Sequence, residues 1–176
     1  MNKHIVFILV LLSLGLALAS AQKLPIGSSS VKVDGLISDK EYALTVPLNK
    51  MTLYITRTAD TMFLALSAPT KGWVALGFGS DRMDGASIFI GAVTDGTASL
   101  SEQGGRGHGH NQVGDPMTVS YGMVEDAERT TLELALAAGD VISAGQSELK
   151  VLAAFGSTDE ITRYHASRDR LTFQLN

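Results

Sequence analysis

Along this chain apolar and polar residues alternate in short runs, or apolar residues follow one another in runs of about four to eight, while helical spacing is scarce. Residues 51–57 (MTLYITR) alternate and are rich in β-formers. Thr58, Ala59 and Asp60 then turn the chain into 62–67 (MFLALS), which predicts a hairpin. The stretch from Pro69 to Gly72 turns it again into 73–78, and 86–93 follows after a tight polar link. After a long Gly-rich link, further strands are predicted over 118–124, 131–135, 149–155, 160–164 and 171–175, about nine in all. In 128–141 (ERTTLELALAAGDV), Leu132, Leu134 and Leu136 alternate but the Ala-rich tail tolerates a helix, so a strand followed by a short helical turn is predicted. Residues 22–30 form a polar leader, ordered only where an edge strand captures it. Short strands at regular spacing in one domain predict an all-β fold, an immunoglobulin-like antiparallel β-sandwich.

Residues 1–21 stand outside that pattern. Lys3 gives a basic start, 5–18 are apolar apart from Ser13 and Gly15, and Ala19-Ser20-Ala21 forms a small-x-small cleavage site. This is the layout of a signal peptide, and the apolar run is short for a membrane span, which needs about 20 residues. Export to a periplasm or extracellular space is the expectation, with no retained membrane span. Removing 21 of the 176 residues leaves 155, which suits one domain, and takes Lys3 from a formal charge of −4 to give −5. A mildly acidic chain with no basic run is a poor nucleic-acid binder. The absence of cysteine excludes disulfides, thiolate metal sites and covalent c-type haem attachment.

Candidate chemistry centres on 72–93 (GWVALGFGSDRMDGASIFIGAV), where Met83 interrupts an otherwise polar link between two strands. A hydrophobe there has no core to join, and its soft thioether suits either a packing plug or an axial ligand to iron. His165 is placed after 161–164 and before a polar turn, where on its own it reads most simply as a surface histidine. Alternation would put Arg163 and His165 on one strand face, opposite Tyr164. Arg163, Arg168 and Arg170 surround His165, and Arg82 precedes Met83; each is a solvated charge or a partner for a carboxylate. Trp73 reads as core packing before it reads as a cofactor contact. In 104–112 (GGRGHGHNQ), His108 and His110 could bind copper or zinc, although two histidines in a Gly-rich link are a weak metal signal. No catalytic triad, phosphate loop or HExxH helix is present.

The segment G-W-V-A-L-G-F, then M-x-G-A, then an apolar strand ending in I-G, resembles the DOMON family, extracellular β-sandwich domains that bind b-type haem or sugars. VDGLISDKEY at 33–42 resembles the family's opening segment, and ITRYHASRDRLTFQL at 161–175 resembles its histidine-bearing closing hairpin. The resemblance implies a domain over 31–176 that binds one haem b non-covalently, with Met83 and His165 as axial ligands to the haem iron. Arg163, Arg168 and Trp73 are then the adjoining cofactor contacts. Met/His ligation fills both axial positions, so such a site passes single electrons and transforms no substrate. The partner implied is a separate redox protein. A carbohydrate-binding module without haem is the alternative.

Overall fold

A computed structural model describes residues 22–28 and 31–175, so the expected signal peptide at 1–21 lies outside the described residues. The described residues fold as twelve strands and one four-residue helix: β1 (Gln22–Leu24), β2 (Leu44–Pro47), β3 (Thr52–Arg57), β4 (Thr61–Ala68), β5 (Val74–Phe78), β6 (Ser87–Thr94), β7 (Thr97–Arg106), β8 (Gly109–Gln112), β9 (Thr118–Glu125), β10 (Thr130–Ala137), α1 (Ala138–Val141), β11 (Glu148–Phe155) and β12 (Ser167–Leu175). They form a seven-stranded sheet, β1-β12-β11-β5-β6-β7-β8, facing a five-stranded sheet, β2-β3-β4-β10-β9. All pairings between strands are antiparallel except that of β1 with β12.

Alternation decides what lies between the sheets. Leu132, Leu134 and Leu136 of β10 point inward with Leu53, Ile55, Leu64 and Leu66, against Val74, Leu76, Phe89, Val151 and Phe173 of the larger sheet. Burial of this apolar set is the main stabilising term, at roughly 25 cal/mol per Å². The β3–β4 hairpin and the strand-then-helix reading of 128–141 agree with the structure. Gln22–Leu24 add to β12 as the outermost strand of the larger sheet, and Leu24 is fully buried there.

Two expectations are corrected, and a further strand appears where none was expected. The Gly-rich link at 104–112 is the end of β7 and the whole of β8, a hairpin in which Arg106 pairs with Gly109. Residues 160–164 are not a strand. The Glu160 carbonyl accepts from the Arg163 amide (3.0 Å) and its carboxylate holds Arg163 Nε (2.6 Å) and the Thr162 hydroxyl (3.2 Å), closing a local turn against the apparent alternation. β2 is the third difference: too short to alternate visibly, it follows β3 in register at the sheet edge.

The opening motif has a structural role. Glu133 of β10 points away from the core yet is fully buried, because residues 33–42 cross over it. Its carboxylate accepts from the Asp34 amide (2.8 Å), the Gly35 amide (2.6 Å) and the Tyr42 hydroxyl (2.6 Å). Gly35 (φ +87°) lies directly against Gly122 of β9, so neither position has room for a side chain.

Candidate functional site

The outer face of the seven-stranded sheet should be polar if it only met water. Instead its centre is a second apolar cluster: Trp73, Ala75, Ala86, Ile88, Ile90 and Ala92 are buried, and Met83, Leu152, Ala154 and Ile161 pack against them. Register explains the assembly. Ala154, Ala75 and Ile90 lie side by side across β11, β5 and β6, with Leu152, Gly77 and Ile88 in a parallel row. Ala75, Gly77, Ala92 and Ala154 are small, so the floor is shallow and apolar.

Two loops close on this floor. The β5–β6 loop, 79–86, carries Met83, which is half-buried against the cluster. Gly85 (φ +78°) bends the chain, and the Ala86 amide donates to the Met83 carbonyl (3.0 Å). The loop then docks on β7: the Gly85 amide donates to the Gly105 carbonyl (3.1 Å) and the Gly105 amide to the Ala86 carbonyl (2.8 Å). A Cβ on Gly105 would overlap the Met83 carbonyl oxygen, which is why glycine stands there. Asp84 Oδ1 accepts from the Gly107 amide (2.8 Å).

The β11–β12 loop, 156–166, ends in His165. The Trp73 amide donates to the Thr158 carbonyl (3.0 Å), the Thr94 hydroxyl to Asp159 Oδ2 (3.2 Å), and the Ala166 amide to the Phe155 carbonyl (2.7 Å). Ile161 of this loop packs on the outer cluster, and half-buried His165 follows four residues later beside fully exposed Tyr164 (95 % exposed). The two loops leave opposite ends of the sandwich. Phe155 pairs with Val74 at the start of β5, whereas the Met83 loop follows Phe78 at its end, roughly 13 Å away at 3.3 Å per residue. They converge on one face from opposite ends.

The remaining candidates separate. Arg163 does not share a strand face with His165; it is exposed and paired with Glu160, which holds the Glu160 carboxyl low and the guanidinium high. Arg168 is exposed on β12, opposite Ala154 at the cluster's margin. Arg170, opposite Leu152, donates from Nη1 to the Asp81 carbonyl (3.2 Å) and so reaches the Met83 loop. Trp73 packs in the outer cluster, 5 % exposed, its indole directly over Gly156. Its Nε1–H has no acceptor among the described residues.

His110 lies opposite Gly105, and its Nδ1 meets Gln103 Oε1, while His108 is exposed at the hairpin turn. Among the described residues no three His, Cys, Asp or Glu side chains are grouped to hold a metal ion. A haem iron needs less, because its four in-plane ligands are the porphyrin's own, and one thioether with one imidazole completes the set. What this chain offers such a group is the apolar floor, Met83 packed on it, and the His165 loop reaching it through Ile161. Two small surface clefts adjoin Ser87 and Met117, while Met83 and Ile161 pack on the apolar face. Sequence reading had no signal for this outer cluster as a unit, because which small residues adjoin depends on register.

No protein-family model matches the chain, and no curated protein matches it. Solved structures do. The cytochrome domain of Myriococcum thermophilum cellobiose dehydrogenase is similar with a TM-score of 0.56 at 14% identity, over 75% of this chain and 82% of that one. The cytochrome b domain of pyranose dehydrogenase from Coprinopsis cinerea gives 0.54 at 12% identity, over 70% and 76%. A family 9 carbohydrate-binding module from Caldicellulosiruptor kristjanssonii, in complex with glucose, gives 0.53 at 8% identity, over 88% and 94%. The chain thus has the β-sandwich fold of cytochrome b domains, a fold that a carbohydrate-binding module also adopts.

Proposed function

We propose that this protein is an exported b-type cytochrome that holds one non-covalent haem between Met83 and His165 and exchanges single electrons with a separate redox protein. The observation that carries this reading is the buried apolar cluster on the outside of the seven-stranded sheet, closed from opposite ends by the Met83 loop and the His165 loop. Trp73, Ile88 and Ile90 are buried outside the core with the chain's own Met83 and Ile161 packed on them, so this face offers apolar ground for a flat, largely apolar group beside Met83. Bound haem would supply a reversible one-electron centre. The chain's own residues would bind it, exclude water from its faces and fill both axial positions, so no bond chemistry is assigned and the protein is not an enzyme. Arg168 supplies a cation at the margin for a propionate. The cytochrome b domains among the structural neighbours support the same reading.

Haemin added to the purified protein should give a sharp low-spin Soret band and, on reduction, resolved α and β bands. A preparation that stays colourless would remove the proposal. The carbohydrate reading is favoured by one observation, the similarity to a module in complex with glucose. Against it, the exposed tyrosines among the described residues, Tyr164 and Tyr121, sit in a loop of the larger sheet and on β9 of the smaller one, and form no shared stacking platform. Calorimetric titration with glucose decides it: saturable heat without haem binding would make the sugar module the function.

A further inference from the structure

We infer that Asp84 and Arg170 are positioning residues that hold the Met83 loop from its two sides and so set how firmly the thioether is presented. This rests on the haem reading above. The Met83 loop is tied on two sides. On one side, the loop forms a reciprocal pair of backbone hydrogen bonds with β7 at Gly105, and Asp84 Oδ1 extends this docking by accepting from the Gly107 amide at the hairpin turn (2.8 Å). On the other side, Arg170 Nη1 reaches over from β12 to the Asp81 carbonyl (3.2 Å).

The two ties lead to different parts of the fold. Asp84 joins the loop to the β7–β8 hairpin, at the far edge of the sheet. Arg170 joins it to β12, the strand that begins two residues after His165. The strand that begins two residues after His165 therefore touches the Met83 loop through Arg170, giving a direct mechanical link between the two rims of the face. A thioether is a weak ligand that is kept only when the protein holds it in place, so the firmness of its loop bears on whether iron keeps it. The carboxylate acceptor at 84 and the long donor at 170 supply that firmness without touching the ligand themselves.

The test is the double variant Asp84→Ala/Arg170→Ala, with Asp84→Asn as the conservative control because its amide oxygen still accepts. In the haem-free protein, amide exchange at Gly85 and Ala86 should be faster by roughly fivefold to tenfold in the double variant, as expected for lost hydrogen bonds of ordinary net worth, and nearly unchanged in Asp84→Asn. In the haem-loaded protein the double variant should lose the methionine-to-iron charge-transfer band in part or whole and have a lower midpoint potential, with Asp84→Asn close to wild type. Unchanged exchange in the haem-free double variant overturns the inference, even if haem affinity falls, because Arg170 would then be acting on the haem itself. An unaltered charge-transfer band and potential in a haem-loaded double variant also overturn it. If wild type takes up no haem, the cytochrome reading fails on that result, and the exchange measurement alone decides the positioning role.

Discussion

Gly105→Ala probes the contact between the Met83 loop and β7 at its tightest point. The added methyl would overlap the Met83 carbonyl oxygen and fall 2.7 Å from the Met83 carbonyl carbon, with the Ala86 carbonyl oxygen 3.3 Å away. Carbon atoms settle at about 3.5–4.0 Å, so the loop must retreat by about 1 Å or more. These neighbours are backbone, so no side-chain rotation relieves the clash. Overpacking of this kind costs about 1–3 kcal/mol. Weakening the two backbone hydrogen bonds at Gly105, each with a net worth of about 1 kcal/mol, brings the expected loss to about 2–4 kcal/mol. At 2–4 °C per kcal/mol for a domain of this size, Tm should fall by roughly 5–15 °C in differential scanning calorimetry. The neighbouring Gly104→Ala is the control. Its methyl meets only Val113 Cγ1, at 3.8 Å, and alanine is favoured over glycine in a strand, so Tm should hold or rise slightly. Haem added to Gly105→Ala should lack methionine ligation while Gly104→Ala keeps it. Equal Tm and equal spectra for the two variants would refute the loop's docking on β7.

Glu133→Ala strands the Tyr42 hydroxyl and the Asp34 and Gly35 amides and should cost about 3 kcal/mol or more, measured by urea unfolding, with Glu133→Gln milder. Burial holds the Glu133 carboxyl above its ordinary value of 4.5, so the native state binds that proton more tightly than the unfolded chain does. Wild type should therefore lose stability relative to Glu133→Gln as pH rises from that value through the raised native one; a gain over that window would contradict the burial. His165→Ala should abolish tight haem binding in a haemin titration, whereas His108→Ala/His110→Ala should spare it, and the reverse pattern would move the ligand to the hairpin. With both axial positions filled, the reduced protein should resist carbon monoxide and show negligible peroxidase turnover, and fast stoichiometric carbon monoxide binding would indicate an open site.

Strands whose alternation buries one face were legible, because Leu132, Leu134 and Leu136 or Val74 and Leu76 announce an inward side. Failures came where another force outranked period two. Ile161 to Tyr164 alternate, but Glu160 recruits Thr162 and Arg163 into a turn. Glycines at 104 and 105 suggested a link between strands, yet Gly105 is a strand residue left bare so that the Met83 loop can lie on it. Gln22–Leu24 pair with a strand some 150 residues later in the sequence, a contact no local pattern encodes. Met83 stood out in the sequence because a hydrophobe in a polar link needs a reason, and the outer cluster supplies one. The approach of the two loops from opposite ends of β5 was not legible, since it follows from the strand order. Arg170 read as a solvated charge or a partner for a carboxylate, and its guanidinium reaches the Asp81 carbonyl.

The central claim is that one thioether and one imidazole of this chain meet the same iron. Near-infrared magnetic circular dichroism of the ferric, haem-loaded protein tests it most directly, because the energy of the low-spin charge-transfer band reports the axial pair. Wild type should show the band of methionine–histidine ligation, and Met83→Ala should lose it. A bis-histidine band in wild type, or a methionine–histidine band that survives in Met83→Ala, would contradict the account.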